Sequence, residues 1–335
     1  MIRTAIARAV IGEALPRDLA FASMEQILAG EATPAQIAAF AVALRMKGET
    51  PDEIAGMAEA MRKRVPPIHT RRSPLIDTCG TGGDNAGTFN ISTTVAIVTA
   101  SCGVAVAKHG NRAVSSRTGS ADVLESLGGR IDVTPIAAGK SLDSLGITFL
   151  FAPNYHSSLR HAASARREIG LRTVFNVLGP LTNPAGATRQ LLGVYADTLV
   201  RPVAEVLRQL GSERAWVVHG RDGMDELSVF AGSHVAELVD GEIREFDVEP
   251  ARFGLAHTDR AGLAGGDAAA NAAKVRAVLA GEKGAARDVV VINTAAALVV
   301  AGVAERLEDG IARAQAAIDG GEAAAKLSDL AAFRS

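Results

Sequence analysis

A regular sequence pattern begins near Leu75. From there, short apolar runs alternate with glycine-rich turns and helical segments. This alternation is typical of a mainly parallel sheet covered by helices. The apolar runs predict strands over residues 75–79, 104–107, 130–134, 147–152, 191–196, 215–219, 235–239 and 288–292. The sequence therefore predicts an α/β fold for this part of the chain.

The first 65 residues follow a different rule, because their apolar side chains recur at helical spacing. Two helix starts carry the same signal, at Thr33–Gln36 and Thr50–Glu53. In each, Thr can cap the helix, Pro takes the first helical position, and Gln or Glu completes a capping box. The helical pattern stops near Val65–His69. We therefore expect an α-helical domain over residues 1–70 and an α/β domain over residues 71–335.

Charge and cysteine content narrow the class of protein. The 35 basic and 37 acidic residues leave a formal charge of −2, which implies no general attraction to nucleic acid or to an anionic membrane. The two cysteines, Cys79 and Cys102, have no paired spacing, so neither a disulfide framework nor a zinc site is predicted. No signal peptide or membrane span is predicted either. We expect a cytoplasmic protein.

A glycine-rich loop follows the first predicted strand. Gly80-Thr81-Gly82-Gly83-Asp84 comes after residues 75–79, and Asn90–Thr93 opens a helix. Glycines let the backbone approach a ligand closely, and loop amides and a helix start can face phosphate oxygens. The loop lacks the Lys of a Walker motif and the third Gly of a dinucleotide fingerprint. The pattern predicts a phosphate site of another type.

Two further motifs follow predicted strands. Lys108–Arg112 ends the second strand and leads into the serine-rich stretch 113–122, at the end of the sheet where α/β proteins bind ligands. Asp225-Glu226 lies in a turn after the strand over 215–219. One or two carboxylates together with substrate phosphates are enough to hold Mg²⁺. By itself, an acidic pair in a turn is more often only solvated.

In combination these motifs resemble those of the anthranilate phosphoribosyltransferase family. The segments 166–173 and 175–184 look like the family's segment around its aromatic substrate, and the resemblance runs from Gly30 to Asn293. It implies a small helical domain that includes part of residues 160–185. It also implies a larger α/β domain of the nucleoside phosphorylase/phosphoribosyltransferase type, and a homodimer built through helices.

The resemblance also implies a set of ligand contacts, position by position. For phosphoribosyl diphosphate they are Gly80, Gly83, Asp84, Thr88, Asn90, Ile91, Ser92, Thr93, Lys108, His109, Gly110, Asn111, Arg112, Ala113, Val114, Ser115, Ser116 and Ser120. For anthranilate they are Gly80, Asn111, Arg166, His109 and Pro180. For two Mg²⁺ ions per subunit they are Ser92, Asp225 and Glu226. No residue is implied as a nucleophile or an obligatory base.

The implied reaction joins the amine of anthranilate to the ribose C1 carbon and releases diphosphate, a step of tryptophan biosynthesis. One alternative is a pyrimidine nucleoside phosphorylase, which shares the helical and α/β layout. That family lacks Lys108–Asn111 and Asn176–Pro184. A second alternative is a non-catalytic, nucleic-acid-binding paralogue of the same fold. It would need a basic surface, which the net charge does not favour.

Overall fold

The computed structural model describes residues 1–84, 86–113 and 117–334. The chain begins with four helices, α1 (Ile2–Val10), α2 (Arg17–Leu28), α3 (Pro34–Lys47) and α4 (Pro51–Arg62). The capping boxes predicted at the starts of α3 and α4 are present, because each Thr side chain accepts from the backbone three residues on and each Gln or Glu reaches back. These local signals therefore fix both helix starts.

A seven-stranded sheet follows within the described residues. Its strands are β1 (Ile76–Gly80), β2 (Val106–Gly110), β3 (Ile147–Phe151), β4 (Arg189–Gly193), β5 (Arg214–Gly220), β6 (Ser233–Val239) and β7 (Glu242–Val248). The spatial order is β3-β2-β1-β4-β5-β6-β7. The first five strands in this order are parallel, and β6 and β7 pair antiparallel at one edge. The predicted fold class, a helical segment followed by a mainly parallel α/β unit, is confirmed.

Helices connect and cover the strands. They are α5 (Ile91–Ser101), α6 (Ser120–Ser126), α7 (Pro135–Leu145), α8 (Ala152–Tyr155), α9 (Arg160–Ile169), α10 (Phe175–Leu178), α11 (Val200–Gln209), α12 (Ala268–Leu279), α13 (Ala285–Val300), α14 (Leu307–Asp319) and α15 (Glu322–Ala332). Short 3₁₀ turns lie at Ser157–Leu159, Asp197–Leu199, Pro250–Phe253 and Arg260–Leu263. Within the described part of the chain, no helix is both long and apolar enough to cross a membrane.

The two faces of the sheet bury different helices. On one face, α5 and α13 pack against side chains such as Leu191 and Val218 in the largest apolar cluster. On the other face, α11 packs on Leu192 and Val217. These residues belong to the same apolar cluster as the buried side chains of α1–α4. The helix α9 lies against α2 and α3, and α10 against α4. The segment after β3 is thereby joined to the N-terminal helices.

Two predicted strands are wrong. Residues 288–292 lie inside α13, where Val289–Ile292 are fully buried. A helix buried all round shows no amphipathic period, so burial overrides the strand preference of β-branched residues. Residues 130–134 form a loop rather than a strand. Side chains satisfy its carbonyls there, since Asn154 donates to Ile131 O and Tyr155 to Val133 O.

Candidate active site

The carboxyl ends of β1 and β4 lie side by side where the strand order reverses. From β1 the chain proceeds outward through β2 and β3, and from β4 it proceeds the other way through β5. Open α/β sheets bind ligands in the crevice at such a switch point. Gly80 ends β1 and is paired in register with Gly193, which ends β4. The topology thus places the candidate site at these two glycines.

Asp225 lies directly over both glycines. A β-carbon on Gly80 would collide with the Asp225 carboxylate, and one on Gly193 would collide with the Asp225 backbone carbonyl. The turn that carries Asp225 follows β5, the neighbour of β4. Glycine at both strand ends therefore lets the acidic turn reach the switch point.

The glycine-rich loop is bonded to this acidic turn. The Gly82 amide donates to Asp225 Oδ2 at 2.8 Å, and the Asp225 amide faces Asp84 Oδ2 at 3.4 Å. Gly82 and Gly83 have φ values of 64° and 73°, which favour glycine. The amide of Gly82, one of the loop donors that the sequence assigns to a phosphate, is thus directed at a carboxylate. The structure brings the predicted loop and the predicted metal ligands together.

Lys108 connects three elements of the site. It is 3% exposed, and its Nζ donates to Thr78 O at 2.6 Å and to Ser92 Oγ at 3.3 Å. Thr78 belongs to β1, Lys108 to β2, and Ser92 to the first turn of α5. The Lys108 charge also favours the ionised form of Glu226. A buried cation is therefore held beside the acidic turn.

The surroundings of Asp225 and Glu226 disfavour the ionised forms of both carboxylates. Burial raises the pKa of Asp225, and the nearby Asp84 carboxylate raises it further. Burial likewise raises the pKa of Glu226 well above its usual value, with the Asp225 charge as the next cause. Carboxylate oxygens are hard ligands of the kind that Mg²⁺ prefers, and a cation between these two half-buried groups would offset their repulsion. Asp225, Glu226 and the Ser92 hydroxyl therefore fit that ion.

The protein alone supplies few ligands for such an ion. Across the residues that the structure describes, no group of three or more His, Cys, Asp or Glu side chains is placed to hold a metal. Mg²⁺ commonly keeps its waters and shares substrate phosphates with one or two carboxylates. The donor set suits an ion that binds together with a phosphorylated substrate.

The start of α5 presents the predicted polar residues. Asn90 precedes the helix, and its side-chain Nδ2 donates to Thr118 O at 3.3 Å. An interaction with the Ser92 backbone favours the ionised form of Glu226 and so opposes the rise in its pKa. Among the described residues, the buried Thr93 hydroxyl has no hydrogen-bond partner. Thr88 forms an isolated bridge with Ala264. The helix start thus faces the acidic turn.

The second predicted loop is closed by its own side chains. Asn111 N donates to Ser120 Oγ at 3.1 Å, and the Asp122 carboxylate accepts from the amides of Ala113 and Gly119. Arg112 forms ion pairs with Asp122 and Glu125. Gly110 lies where a β-carbon would collide with Ser120. The predicted residues Val114, Ser115 and Ser116, and Asn85 in the first loop, lie outside the described residues.

Two family models match successive segments of the chain. The glycosyl transferase family, helical bundle domain, matches residues 3–65, and the glycosyl transferase family, a/b domain, matches residues 72–324. An anthranilate phosphoribosyltransferase from Moorella thermoacetica is 54% identical over 333 residues, covering 99% of this chain and 98% of the relative. The chain belongs to the anthranilate phosphoribosyltransferase family.

Solved structures of this family superpose over nearly the whole chain. The anthranilate phosphoribosyltransferase from Thermus thermophilus is 44% identical, with a TM-score of 0.93 and coverage of 98% of both chains. The enzyme from Saccharomyces cerevisiae in complex with PRPP and Mg is 26% identical, with a TM-score of 0.89 and coverage of 98% of this chain and 96% of the other. A further structure of the yeast protein contains 4-fluoroanthranilate, at 25% identity, with a TM-score of 0.87 and coverage of 99% and 98%.

The residues expected to contact the acceptor come from separate elements. His109 lies on β2, and its ring centroid is 5.2 Å from that of His156. Burial is the main cause that lowers the His109 pKa to about 3, so the ring is neutral at pH 7. Arg166 lies on α9 with its guanidinium 5.4 Å from the Phe175 ring. Pro180 is buried, and its carbonyl accepts from Gln190.

Arg166 remains available for a ligand. Over residues 1–84, 86–113 and 117–334 its guanidinium has no hydrogen-bond or ion-pair partner, and burial lowers its pKa. No hydrogen bond among those residues joins it to Gly80, Asn111 or His109. The predicted acceptor residues therefore lie on separate elements, with Gly80 and His109 on β1 and β2 and Arg166 on α9.

A second arginine was missed by the sequence reasoning. Arg172 stacks on Tyr195, with its guanidinium 4.7 Å from the ring centroid. A β-carbon on Gly83 would lie 3.0 Å from Arg172 Nε. The Tyr195 amide donates to Thr81 Oγ1 at 3.0 Å. Arg172 thus touches the glycine-rich loop, and only its position beside Thr173 in a family-like segment could have indicated this.

A buried polar pair below the site was also missed. Asp77 is fully buried in β1 and accepts from the His109 amide at 3.1 Å and from Asn183 Nδ2 at 2.7 Å. Burial raises the pKa of Asp77 to about 6, and the Lys108 charge opposes that shift. A carboxylate inside an apolar strand was the available signal. The pair fixes the backbone that carries Lys108 and His109.

Proposed function

We propose that this protein transfers the 5-phosphoribosyl group of phosphoribosyl diphosphate to the amine of anthranilate. The products are N-(5-phosphoribosyl)anthranilate and diphosphate. The observation that supports this proposal most strongly is the hydrogen bond from Gly82 N to Asp225 Oδ2 at 2.8 Å. It joins the predicted phosphate loop to the acidic turn at the switch point of the sheet. Family membership over nearly the full length supports the same reaction.

The donor site is proposed to consist of the predicted loop, helix start and Lys108. In the reaction, the bond from the ribose C1 carbon to the diphosphate oxygen breaks as the anthranilate nitrogen bonds to C1. Negative charge grows on the leaving diphosphate, and Lys108 with the loop amides stabilises it. Preorganised electrostatic groups of this kind typically contribute a factor of about 10²–10³ each.

Magnesium dependence, with two ions per subunit, belongs to the same proposal. Ser92, Asp225 and Glu226 are its proposed ligands, and bound Mg²⁺ would neutralise diphosphate charge. The yeast relative solved with PRPP and Mg supports the use of this metal. The raised pKa values of both carboxylates support it further, since a cation would relieve their repulsion.

The acceptor site is proposed to lie between β2 and α9. Arg166 has a planar fork that can pair with both oxygens of the anthranilate carboxylate. His109, neutral at pH 7, lines the path of the ring. The aromatic amine is itself neutral and nucleophilic, so no protein base is required, and its proton leaves late, to water or a phosphate oxygen. The yeast structure with 4-fluoroanthranilate supports an aromatic carboxylate as ligand.

We propose that residues 1–70 with part of 160–185 form one domain, and residues 71–335 the other. The packing of α9 on α2 and α3 supports this division.

We also propose a homodimer through the N-terminal helices. Val10, Ile11 and Met46 are 69%, 70% and 83% exposed there. Sedimentation should give a dimer mass, and Met46→Lys with Val10→Lys should weaken association; a monomer in the wild type would contradict the dimer.

A cytoplasmic location and a role in tryptophan biosynthesis are proposed with the reaction. Both Cys79 and Cys102 are free thiols, which fits a reducing compartment. The pathway follows from the proposed product. Growth of a tryptophan-requiring host that lacks this transferase, restored by the present chain, would support the role, and failure with confirmed expression would contradict it.

The test of the reaction compares two substrate pairs. Anthranilate with phosphoribosyl diphosphate should give a product that mass spectrometry identifies as their conjugate. Thymidine with phosphate, the pair of a pyrimidine nucleoside phosphorylase, should give none. Turnover of the second pair alone would favour that alternative. Salt-dependent DNA binding without turnover of either pair would favour the non-catalytic alternative.

A further inference from the structure

Asn271 lies outside every predicted motif yet contacts the candidate donor site. It is on α12 and 3% exposed. Its Nδ2 donates to Asn90 Oδ1 at 2.9 Å, and its Oδ1 accepts from the Gly266 amide at 2.7 Å. Asn90 Nδ2 in turn donates to Thr118 O at 3.3 Å. A chain of three hydrogen bonds thus runs from one backbone group to another through two side-chain amides.

The two backbone groups at the ends of this series of hydrogen bonds determine the direction of each bond in it. A backbone N–H can only donate, so the Gly266 amide requires an oxygen from Asn271. A backbone carbonyl can only accept, so Thr118 O requires the NH₂ group of Asn90. With both ends fixed, Asn271 Nδ2 must donate to Asn90 Oδ1. A flip of either side-chain amide would place a donor against a donor and an acceptor against an acceptor. The orientation of Asn90 is therefore set by Asn271.

The segment before α12 supports both donor-site loops. Leu263 O accepts from the Phe89 amide at 2.9 Å, and the Gly265 amide donates to Gly87 O at 2.7 Å. Gly266 O accepts from Thr118 Oγ1 at 2.8 Å. A β-carbon on Gly265 would collide with the Thr88 backbone, so this close approach requires glycine. The first loop, the second loop and the start of α12 thus form one connected unit.

We infer that Asn271 is a positioning residue for phosphoribosyl diphosphate, acting through the Asn90 amide. The inference rests on the proposed function, in which Asn90 contacts that substrate. Asn271 itself need not touch the ligand. Its effect should appear in substrate binding and should depend on the presence of the Asn90 side chain.

A double-mutant cycle tests this dependence. We expect Asn271→Ala to raise the KM and the calorimetric Kd for phosphoribosyl diphosphate about tenfold, the scale of losing the partner of a buried polar group. In the Asn90→Ala background the same substitution should change neither value by more than about twofold. Equal increases in the two backgrounds, or no increase in the single variant, would overturn the inference.

Two further variants separate positioning from stability. Asn271→Asp keeps the oxygen for Gly266 but loses the donor to Asn90, so at pH 8 it should weaken binding as Asn271→Ala does, even if the alanine variant folds poorly. Ser141→Ala removes another buried bond, from Ser141 Oγ to Ile147 O at 2.6 Å, at the opposite end of the sheet. It should lower the unfolding temperature without changing Kd. A normal Kd for Asn271→Asp would contradict the inference.

The binding arm also separates this inference from the proposed function. Wild-type protein that binds phosphoribosyl diphosphate but does not consume anthranilate would contradict the proposed reaction, while the Kd cycle would still decide the role of Asn271. If the wild type turns over both substrates and the Asn271 variants have the wild-type Kd for phosphoribosyl diphosphate, only the positioning role would be contradicted.

Discussion

The backbone carbonyl of Asp225 occupies the space that a side chain on Gly193 would need. Gly193 ends β4 at the switch point of the sheet, and Asp225 belongs to the turn after β5. The Asp225 carboxylate also lies against Gly80 at the end of β1. Glycine at positions 80 and 193 therefore leaves the space that Asp225, the proposed metal ligand, occupies.

The first prediction concerns Gly193. In Gly193→Ala the methyl group overlaps Asp225 O, so the acidic turn must shift and the site is misaligned. We expect kcat/KM to fall at least a hundredfold, as is typical for a displacement of about 1 Å in an active site. The matched control is Gly211→Ala, where φ is 81° and the space is open. It should cost about 1–2 kcal/mol of stability but leave turnover intact. Near-normal activity of Gly193→Ala would contradict the proposed placement.

The second prediction concerns the acidic pair. Asp225→Asn combined with Glu226→Gln should lower turnover by at least a factor of about 10², because the proposed metal ligands are lost. The same protein in EDTA should unfold at a temperature equal to or above that of the wild type, since the substitution removes two half-buried carboxylates that repel each other. Steady-state assays at saturating Mg²⁺ and thermal unfolding measure the two effects. Near-normal turnover would refute the assignment.

The third prediction concerns the acceptor. Arg166→Lys keeps the charge but loses the planar fork, so the KM for anthranilate should rise about tenfold while that for phosphoribosyl diphosphate stays within about twofold. Arg167→Lys, an exposed neighbour on the same helix, is the matched control and should change neither value. An increase confined to phosphoribosyl diphosphate would move Arg166 to the donor site.

The fourth prediction concerns acid stability. Burial lowers the pKa of His156 to about 4, from 6.5 in the unfolded chain. Between these pH values the His156 side chain binds a proton in the unfolded chain but not in the folded protein, so the His156 contribution to the unfolding free energy falls as the pH falls from about 6.5 to about 4. The loss is about 3 kcal/mol, at about 1.4 kcal/mol per pH unit.

Urea unfolding of the wild type and of His156→Asn over this pH range measures that loss. The variant should lose less stability toward low pH. Asp77, whose pKa is raised to about 6, acts in the opposite direction but is present in both proteins, so its effect cancels in the difference. Parallel pH profiles would contradict the prediction.

Local signals predicted local structure well. The capping boxes at Thr33–Gln36 and Thr50–Glu53 are confirmed because each involves atoms only three residues apart. The strands over 75–79 and 215–219 are confirmed with a shift of one residue at each end. The edge strand β7 was missed because charged residues alternate along it, although the Asp240-Gly241 turn before it, with φ values of 51° and 80°, is a typical hairpin signal.

Long-range relationships could not be predicted in the same way. The contacts of Asp225 with Gly82 and Asp84 join residues more than 140 positions apart, as do those of Asn271 with Asn90. Motifs and the family resemblance indicated which residues carry the chemistry. Only the strand order shows why they meet, and only packing shows why 288–292, a β-branched run, is part of a buried helix.

The most direct measurement follows the loss of anthranilate fluorescence after phosphoribosyl diphosphate is added, first with Mg²⁺ and then with EDTA. The wild type should consume anthranilate with Mg²⁺ and stop when the metal is chelated, while the Asp225→Asn, Glu226→Gln protein should be inactive in both. Equal rates with and without Mg²⁺, or wild-type rates in the double variant, would contradict a metal and diphosphate site at the switch point.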